Sequence, residues 1–485
     1  MALINKILHP TLKLIDSFKR MRTGHVTGLS FGSDAVTLIS KSENSIKLKF
    51  VIPITDYSAV DNAKQSNLPE FHFTHNHKKW IIPANVSRIE NIRDNVLCGG
   101  SNDFSLALDS QAIYDAKIDI NRKYFFRYIV PIPNRAWHDD YDRYHYESHG
   151  KNIDGLIKIT CPTDQIHLFQ FEYKKQYYLV IESGEKYELD QFEKVAFNTL
   201  LTLGFLSGTL HLNEVFIVAA NRKSFNVPVG IYFKTLRKSI KGQYSIFTTN
   251  AYSVLMPLSA KMTAKDAKER MLTLIERHWK FRIDRISMEV FSNMVTLFND
   301  HDSIARAALM TLSASWLEHE VQSGVYCIAF ETLCSKIYKT HSLIAPRAIS
   351  ECSWNSLKPA FSDVVTNTTC LSEDEIKFIK NKLENLNQPT NASKLRLPFE
   401  VLGYNLSQAE IKAINDRNKF LHGHLNIDKG DKEIDKLFYT SLMFHKLCCV
   451  LILKLSGFEG YIINNIPLHA PFVNYAIREW GFKRI

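Results

Sequence analysis

The order of apolar and polar residues changes character once along the chain. From about Gly24 to Glu188 it alternates with a period of two, the pattern of strands with one buried face. Ser45–Ile52 puts Ile46, Leu48 and Phe50 on one side and Lys47 and Lys49 on the other. His167–Tyr173 and Tyr177–Glu182 read the same way, and clusters such as Cys98–Asp103 punctuate the runs. The pattern predicts an antiparallel β-rich region with one solvated face.

Asp190 with Glu193 resembles a capping box, and Phe192, Val195, Ala196, Thr199, Leu200 and Leu203 follow at helical spacing until Gly204 and Gly208. Three strand-like pieces come next: Glu214–Ala219, Val229–Phe233 and Tyr244–Thr249. From about Thr263 the period is helical. Helices are expected at Ala264–Lys280, Asp284–Phe298, Ile304–Gln322, Val325–Tyr338, Glu373–Leu386, Gln408–Leu421 and Lys432–Leu455. Ser372 with Glu375 and Ser407 with Glu410 open two of them as capping boxes, and Lys339–Phe361 reads as a long loop. The expected fold class is α+β. Residues 1–189 form a β-rich sensing or regulatory domain, 190–262 a small α/β connecting region, with closure of the N-terminal domain by residues 190–258 as the alternative, and 263–485 a helical bundle.

A 485-residue chain with 45% hydrophobic and 23% charged residues belongs to a folded protein of two or three domains. No run is long and uncharged enough to span a bilayer, since Met443–Leu455 is interrupted by His445, Lys446 and Lys454. The first 22 residues lack a signal peptide's apolar core and cleavage site. They read as a short basic amphipathic helix, docked on the protein or, as the alternative, lying on a membrane surface. The eight cysteines form no C-x-x-C pair, and Cys327, Cys334, Cys448 and Cys449 sit in apolar helical text. A reducing cytoplasm is the expected compartment. The net charge of +10 is spread over both halves, which suits a phosphate-bearing partner without marking a groove.

The candidate chemistry is in Arg417–His424, RNKFLHGH. A bare R-x-x-x-x-H is a weak signal, and Arg20 with His25 matches it too, while Arg143 with His149 fits a looser form. Context raises Arg417–His422 above these. Arg417 and Asn418 sit near the end of a helix capped at Ser407, with Ile411, Ile414 and Leu421 as its apolar stripe and Gly423 after its end. Asn418 falls within that stripe, where an amide needs partners. Five residues on an ideal helix turn through about 140° and rise about 7.5 Å, so Arg417 and His422 of one chain do not share a face. His424 is a rival to His422 if the helix continues. Histidine can move a proton near neutrality and arginine can hold a phosphate bidentately, which together suit phosphodiester chemistry. The bland alternative pairs Arg417 with Asp416 or Glu410, with His422 as a helix cap and Asn418 as a brace.

The R-N-x-x-x-H pattern, together with Ala329–Ile337 (AFETLCSKI) on another helix, resembles the ApeA-like HEPN domain of bacterial anti-phage defence proteins. The resemblance covers about Thr263 to Leu455 and puts Glu331 at the family's acidic position. It implies a metal-independent endoribonuclease without cofactor, with Arg417, His422 and Asn418 catalytic and Glu331, Asp416 and His424 supporting. It also implies a homodimer with a composite site, an RNA substrate with transfer RNA as one candidate, and a growth-arresting, abortive-infection role. A phage-derived or regulatory ligand would then act on the N-terminal region. The rival readings are a non-catalytic nucleic-acid or protein binding module and a signalling scaffold.

Two other patterns are weaker. His75 and His77 would share a face of one strand beside His72, but exposed positions on a hairpin explain them as well. Asp139–His149 mixes acids with aromatics and reads as a solvated loop or, alternatively, a binding loop.

Overall fold

The computed structural model describes residues 2–27, 35–41, 46–53, 70–96, 102–136, 141–142, 144–148, 151–161, 164–247, 285–344, 347, 349–421, 431–466 and 482–485. The chain divides into two compact units, residues 1–251 with 277–300 and residues 252–276 with 301–485.

The first unit opens with α1 (Ala2–Lys19). The strands that follow are β1 (Thr23–Thr27), β2 (Ala35–Lys41), β3 (Ile46–Pro53), β4 (Phe71–His75), β5 (Lys78–Ile82), β6 (Ser87–Val96), β7 (Asn102–Ser110) and β8 (Ala112–Asp115). Next are β9 (Phe125–Ile132), β10 (Tyr144–Ser148), β11 (Lys151–Cys161), β12 (Asp164–Tyr173) and β13 (Gln176–Ser183). Helix α2 (Leu189–Ser207) leads to the short β14 (Thr209–Leu210), then β15 (Glu214–Ala220), β16 (Pro228–Thr235) and the short β17 (Ile240–Lys241), which pairs with β14. Helix α3 (Met288–Asp300) completes the unit.

Fifteen strands make one sheet, ordered β10-β11-β12-β13-β9-β15-β16-β8-β5-β4-β1-β2-β3-β7-β6, with antiparallel ladders. Expected alternation holds at its flank, where Ile46 and Leu48 are buried and Lys47 and Lys49 exposed. It fails at the centre. Every residue of β8 is buried, as is every residue of β15 beyond the alternating stretch, because both faces are covered there. On one side Leu8, Leu12, Ile15 and Phe18 of α1 join the core, with Phe18 stacked on Phe233 at 5.2 Å. The N-terminal helix is therefore docked on the sheet. Buried Arg127 of β9 helps hold it, donating to Thr11 Oγ1 at 3.0 Å and to Glu182 at 2.6 Å. On the other side Phe192 of α2 stacks on Phe126 at 5.5 Å.

The described part of residues 190–262 belongs to the sheet unit, as the alternative of closing the N-terminal domain has it. β15 and β16 lie in the middle of the large sheet, and buried apolar strands of this kind need neighbours on both edges. Tyr244–Thr249 forms no strand in its described part. Helix α2 starts at Leu189 without a side-chain cap, because Glu193 is drawn to Lys234 Nζ at 2.9 Å. Gly208 ends it at φ +78°, whereas Gly204 stays inside it. A Cβ on Gly204 would come within 2.7 Å of Leu210, so that glycine allows close approach. α3 also falls on the other side of the expected boundary at residue 263. Its Ser292 Oγ accepts from Thr160 N at 3.0 Å on β11, and its Asn299 accepts from Asn198 of α2 at 2.7 Å. The expected helix Ala264–Lys280 and the residues Cys98–Ser101 lie outside the described residues.

The second unit is helical. It holds α4 (Asp302–Ser313), α5 (His319–Thr340), α6 (Glu351–Thr366), α7 (Glu373–Leu386), α8 (Asn391–Val401), α9 (Gln408–Leu421) and α10 (Asp431–Leu455), with a small pairing of β18 (Tyr461–Ile463) and β19 (Phe482–Arg484). The expected helix Ile304–Gln322 is broken by a tight turn at Ala314–Trp316. Gln322 Nε2 donates to the carbonyls of Ala314 and Ser315 there. α6 occupies much of the segment read as a loop. Ser350 caps it, but Trp354 is its single buried residue, so it carries little periodic signal. Among the described residues one stretch, Ile434–Leu455, is apolar enough to cross a membrane by length and composition. Its most apolar window is 89% buried in the protein, as befits the core helix against which α5 packs. Cys448 Sγ meets the Tyr326 carbonyl at 3.7 Å, and Phe330 packs on Phe444 at 5.3 Å.

Candidate active site on the helical unit

Helix α9 is fixed at its start. Ser407 Oγ accepts from the Glu410 N–H at 3.3 Å, and Glu410 Oε2 accepts from the Ser407 N–H at 2.7 Å, a reciprocal capping box. Glu410 is wholly buried and does more than cap. Its Oε1 accepts from Tyr404 Oη at 2.8 Å and faces Lys446 Nζ at 3.0 Å and Lys483 Nζ at 2.9 Å. Burial pushes its pKa up, but Lys446, Lys483 and the Ser407 N–H outweigh burial and hold it at about 2. The start of α9 is thus tied to α10 and to β19.

One and two turns further along the same face come Ile414, fully buried, and Arg417, 2% exposed. Arg417 Nε donates to Glu331 Oε1 at 2.7 Å, and its Nη1 donates to the Ile414 carbonyl at 3.3 Å. Its Nη2 is buried and has no partner among the described residues. Glu331 belongs to α5, where Ala329, Phe330, Leu333 and Cys334 turn inward and its own carboxylate stays 37% exposed. The ion pair therefore joins the R-N-x-x-x-H helix to the AFETLCSKI helix. Arg396 Nη2 of α8 adds a second tie to α9 through Asn415 Oδ1 at 2.6 Å.

Some expectations change. Arg417 Nε bonds neither Asp416, which is half-buried, nor Glu410, which the lysines occupy, but an acid far away in sequence. Asn418 is exposed rather than inside the apolar stripe. The stripe is Glu410, Ile414 and Arg417, and the next residue stands about 100° round the helix from Arg417. His422, Gly423 and His424 lie outside the described residues, as does the side chain of Leu421.

Glu331 lies on the rim of two cavities. One, of about 220 Å³, is lined by Ser335, Tyr338, Lys339, Asn391 and Lys394 among others. The other, of about 420 Å³, is lined by Ser303, Ile328, Thr332, Ser335, Lys336 and Lys339. The three lysines belong to no motif in the sequence. Their signal is faint: Ile328, Glu331, Thr332, Ser335, Lys336 and Lys339 recur at helical spacing on the face of α5 opposite its core residues.

The remaining candidates resolve simply. Asn76 and His77, at φ +49° and +60°, form the turn between β4 and β5, so His75 and His77 do not share a strand. His75 bonds the Thr23 carbonyl. Asp139–His149 is not one solvated loop. Tyr141 is buried edge-on against Phe291 at 5.8 Å, and Tyr144–Ser148 is β10. Burial pushes the thiols of Cys327, Cys334, Cys448 and Cys449 up, so none of them is a ready thiolate. Among the described residues no group of three or more His, Cys, Asp or Glu could hold a metal ion.

Comparison with protein-family models, curated proteins and solved structures finds no match.

Proposed function

We propose that the helical unit is a HEPN-type, metal-independent endoribonuclease. The observation that carries this reading is the Arg417–Glu331 ion pair, which links the two motifs on which the resemblance rests. A guanidinium held on one side by a carboxylate keeps another edge for a phosphate, and Arg417 Nη2 is the nitrogen left over. His422 supplies the proton transfer to and from the RNA 2′-hydroxyl and leaving oxygen, and Asn418, exposed beside Arg417, orients the substrate. The offset of about 140° between Arg417 and His422 on an ideal helix favours a cleft made by two chains about a two-fold axis. The sheet unit then acts as sensor or restraint, with a phage-derived or regulatory ligand as its partner, and the whole works in the cytoplasm as a growth-arresting effector.

A second reading is favoured by the burial of Arg417. At 2% exposure the guanidinium serves as a brace between α5 and α9, and the unit is a non-catalytic binding module or signalling scaffold. Mixing the Arg417→Ala and His422→Ala chains separates the two. A composite cleft predicts activity altered from either single variant, because mixed dimers redistribute the arginines and histidines. A brace predicts that wild-type, variant and mixed proteins alike leave RNA intact.

A further inference from the structure

We infer that the exposed face of α5 forms, with the first turns of α4 and α8, a groove for the phosphate backbone of single-stranded RNA. The RNA class rests on the ribonuclease reading, whereas the groove rests on the structure. The two cavities share Glu331, Ser335 and Lys339, so they adjoin along that row of α5, one towards α8 and the other towards α4. From Ile328 to Lys339 the floor runs on the order of 16 Å at the rise of an α-helix, long enough for more than one phosphate.

Its charge favours anions. Lys336 and Lys339 stand on the floor and Lys394 on the wall, and none has a carboxylate partner among the described residues. Glu331 is the one acid of the lining, and its charge is offset by Arg417 behind it. Ser335 and Thr332 add hydroxyl donors, although Thr332 Oγ1 already donates to the Ile328 carbonyl at 2.7 Å. The walls contribute as well. Asn391 and Lys394 belong to the first turn of α8, capped at Thr390, and Ser303 to the first turn of α4. Helix starts carry backbone N–H groups without intrahelical partners and a partial positive charge. Ile328, half exposed at one end, offers an apolar surface to a base. An RNA strand lying here passes over Glu331, the surface partner of buried Arg417.

The test uses the full chain and a short single-stranded 2′-O-methyl RNA, which binds but cannot be cut through its 2′-oxygen. Dissociation constants are measured over a range of salt for the wild type, for Lys339→Ala with Lys394→Ala, and for Lys339→Arg with Lys394→Arg. Each lost phosphate contact lowers the slope of log affinity against log salt by about 0.7 for a single strand, so the alanine pair should lose about 1.4. Its affinity at moderate salt should fall roughly tenfold, and the arginine pair should restore slope and affinity. Circular dichroism checks that the helices are intact. An alanine pair with the wild-type slope overturns the proposal, and so does a wild type that takes poly-glutamate as tightly as RNA. Binding without cleavage of unmodified RNA would leave the groove standing and remove the nuclease. Cleavage indifferent to the lysines would do the reverse.

Discussion

Arg417 and Glu331, 86 residues apart in sequence, meet through a 2.7 Å hydrogen bond from Nε to Oε1. The arginine is buried and the glutamate is at the surface. The asymmetry has an energetic consequence. Removing Glu331 leaves a buried cation with one bond fewer, whereas removing Arg417 leaves a carboxylate that water can reach.

Glu331→Ala should therefore destabilise the helical unit more than its own exposure suggests. Breaking a buried pair costs about 3–5 kcal/mol, and the partial exposure of Glu331 places this case near the lower end. Glu331→Gln, which keeps one acceptor, should lose less. Urea unfolding followed by circular dichroism gives the two values, and equal losses would mean that the charge of Glu331 is immaterial.

The sequence made the two ends of this pair visible but not the pair. Ser372, Glu375, Ser407 and Glu410 announced α7 and α9 because capping is local chemistry. Helices α6 and α8 went unread. Each contains a proline, Pro359 and Pro398; α6 buries only Trp354, and α8 buries only the short group Leu395, Pro398 and Phe399. Its distance from Ile414 puts Asn418 on the expected core face, but that face is centred on Glu410 and Arg417. A charged residue that becomes buried because a distant partner meets it leaves no mark in periodicity. The same holds for α3, whose apolar face fits a bundle or a sheet equally well.

That placement of α3 predicts how fragments behave. Residues 301–485 should give a helical, soluble protein. Residues 263–485 carry α3 without the sheet it covers and expose Phe291, Met294, Val295 and Phe298, so they should aggregate. Sedimentation of the two fragments decides this. The opposite order of solubility would mean that the helical unit needs α3 or residues 263–276.

Acid stability should show two windows. Burial holds His445 down at about 4, well below its ordinary 6.5. A histidine whose folded pKa is lowered stabilises the fold fully above about 6.5, and this contribution fades as pH falls towards 4, on the order of 3 kcal/mol in all. His445→Gln should flatten unfolding free energy between those values. If the slope there is unchanged, the imidazole is not the group responsible.

Glu410 governs the lower window. With its pKa at about 2 against an ordinary 4.5, its stabilisation is complete above about 4.5 and lost as pH falls towards 2. Glu410→Gln should remove that dependence and also weaken the fold at neutral pH, because Lys446 stays buried without its counter-charge. Unfolding measured from pH 5 to pH 2 reads both effects, and a steep acid limb surviving in the variant would assign it to other carboxylates.

The most direct measurement of the central claim is cleavage of labelled total RNA by the purified full chain in EDTA. The wild type should cut, and Arg417→Ala and His422→Ala, with helical content retained, should each lose at least a hundredfold in rate, the scale of a missing acid–base or electrostatic group. Intact RNA with the wild type, activity that vanishes on chelation, or variants that cut at the wild-type rate would contradict it.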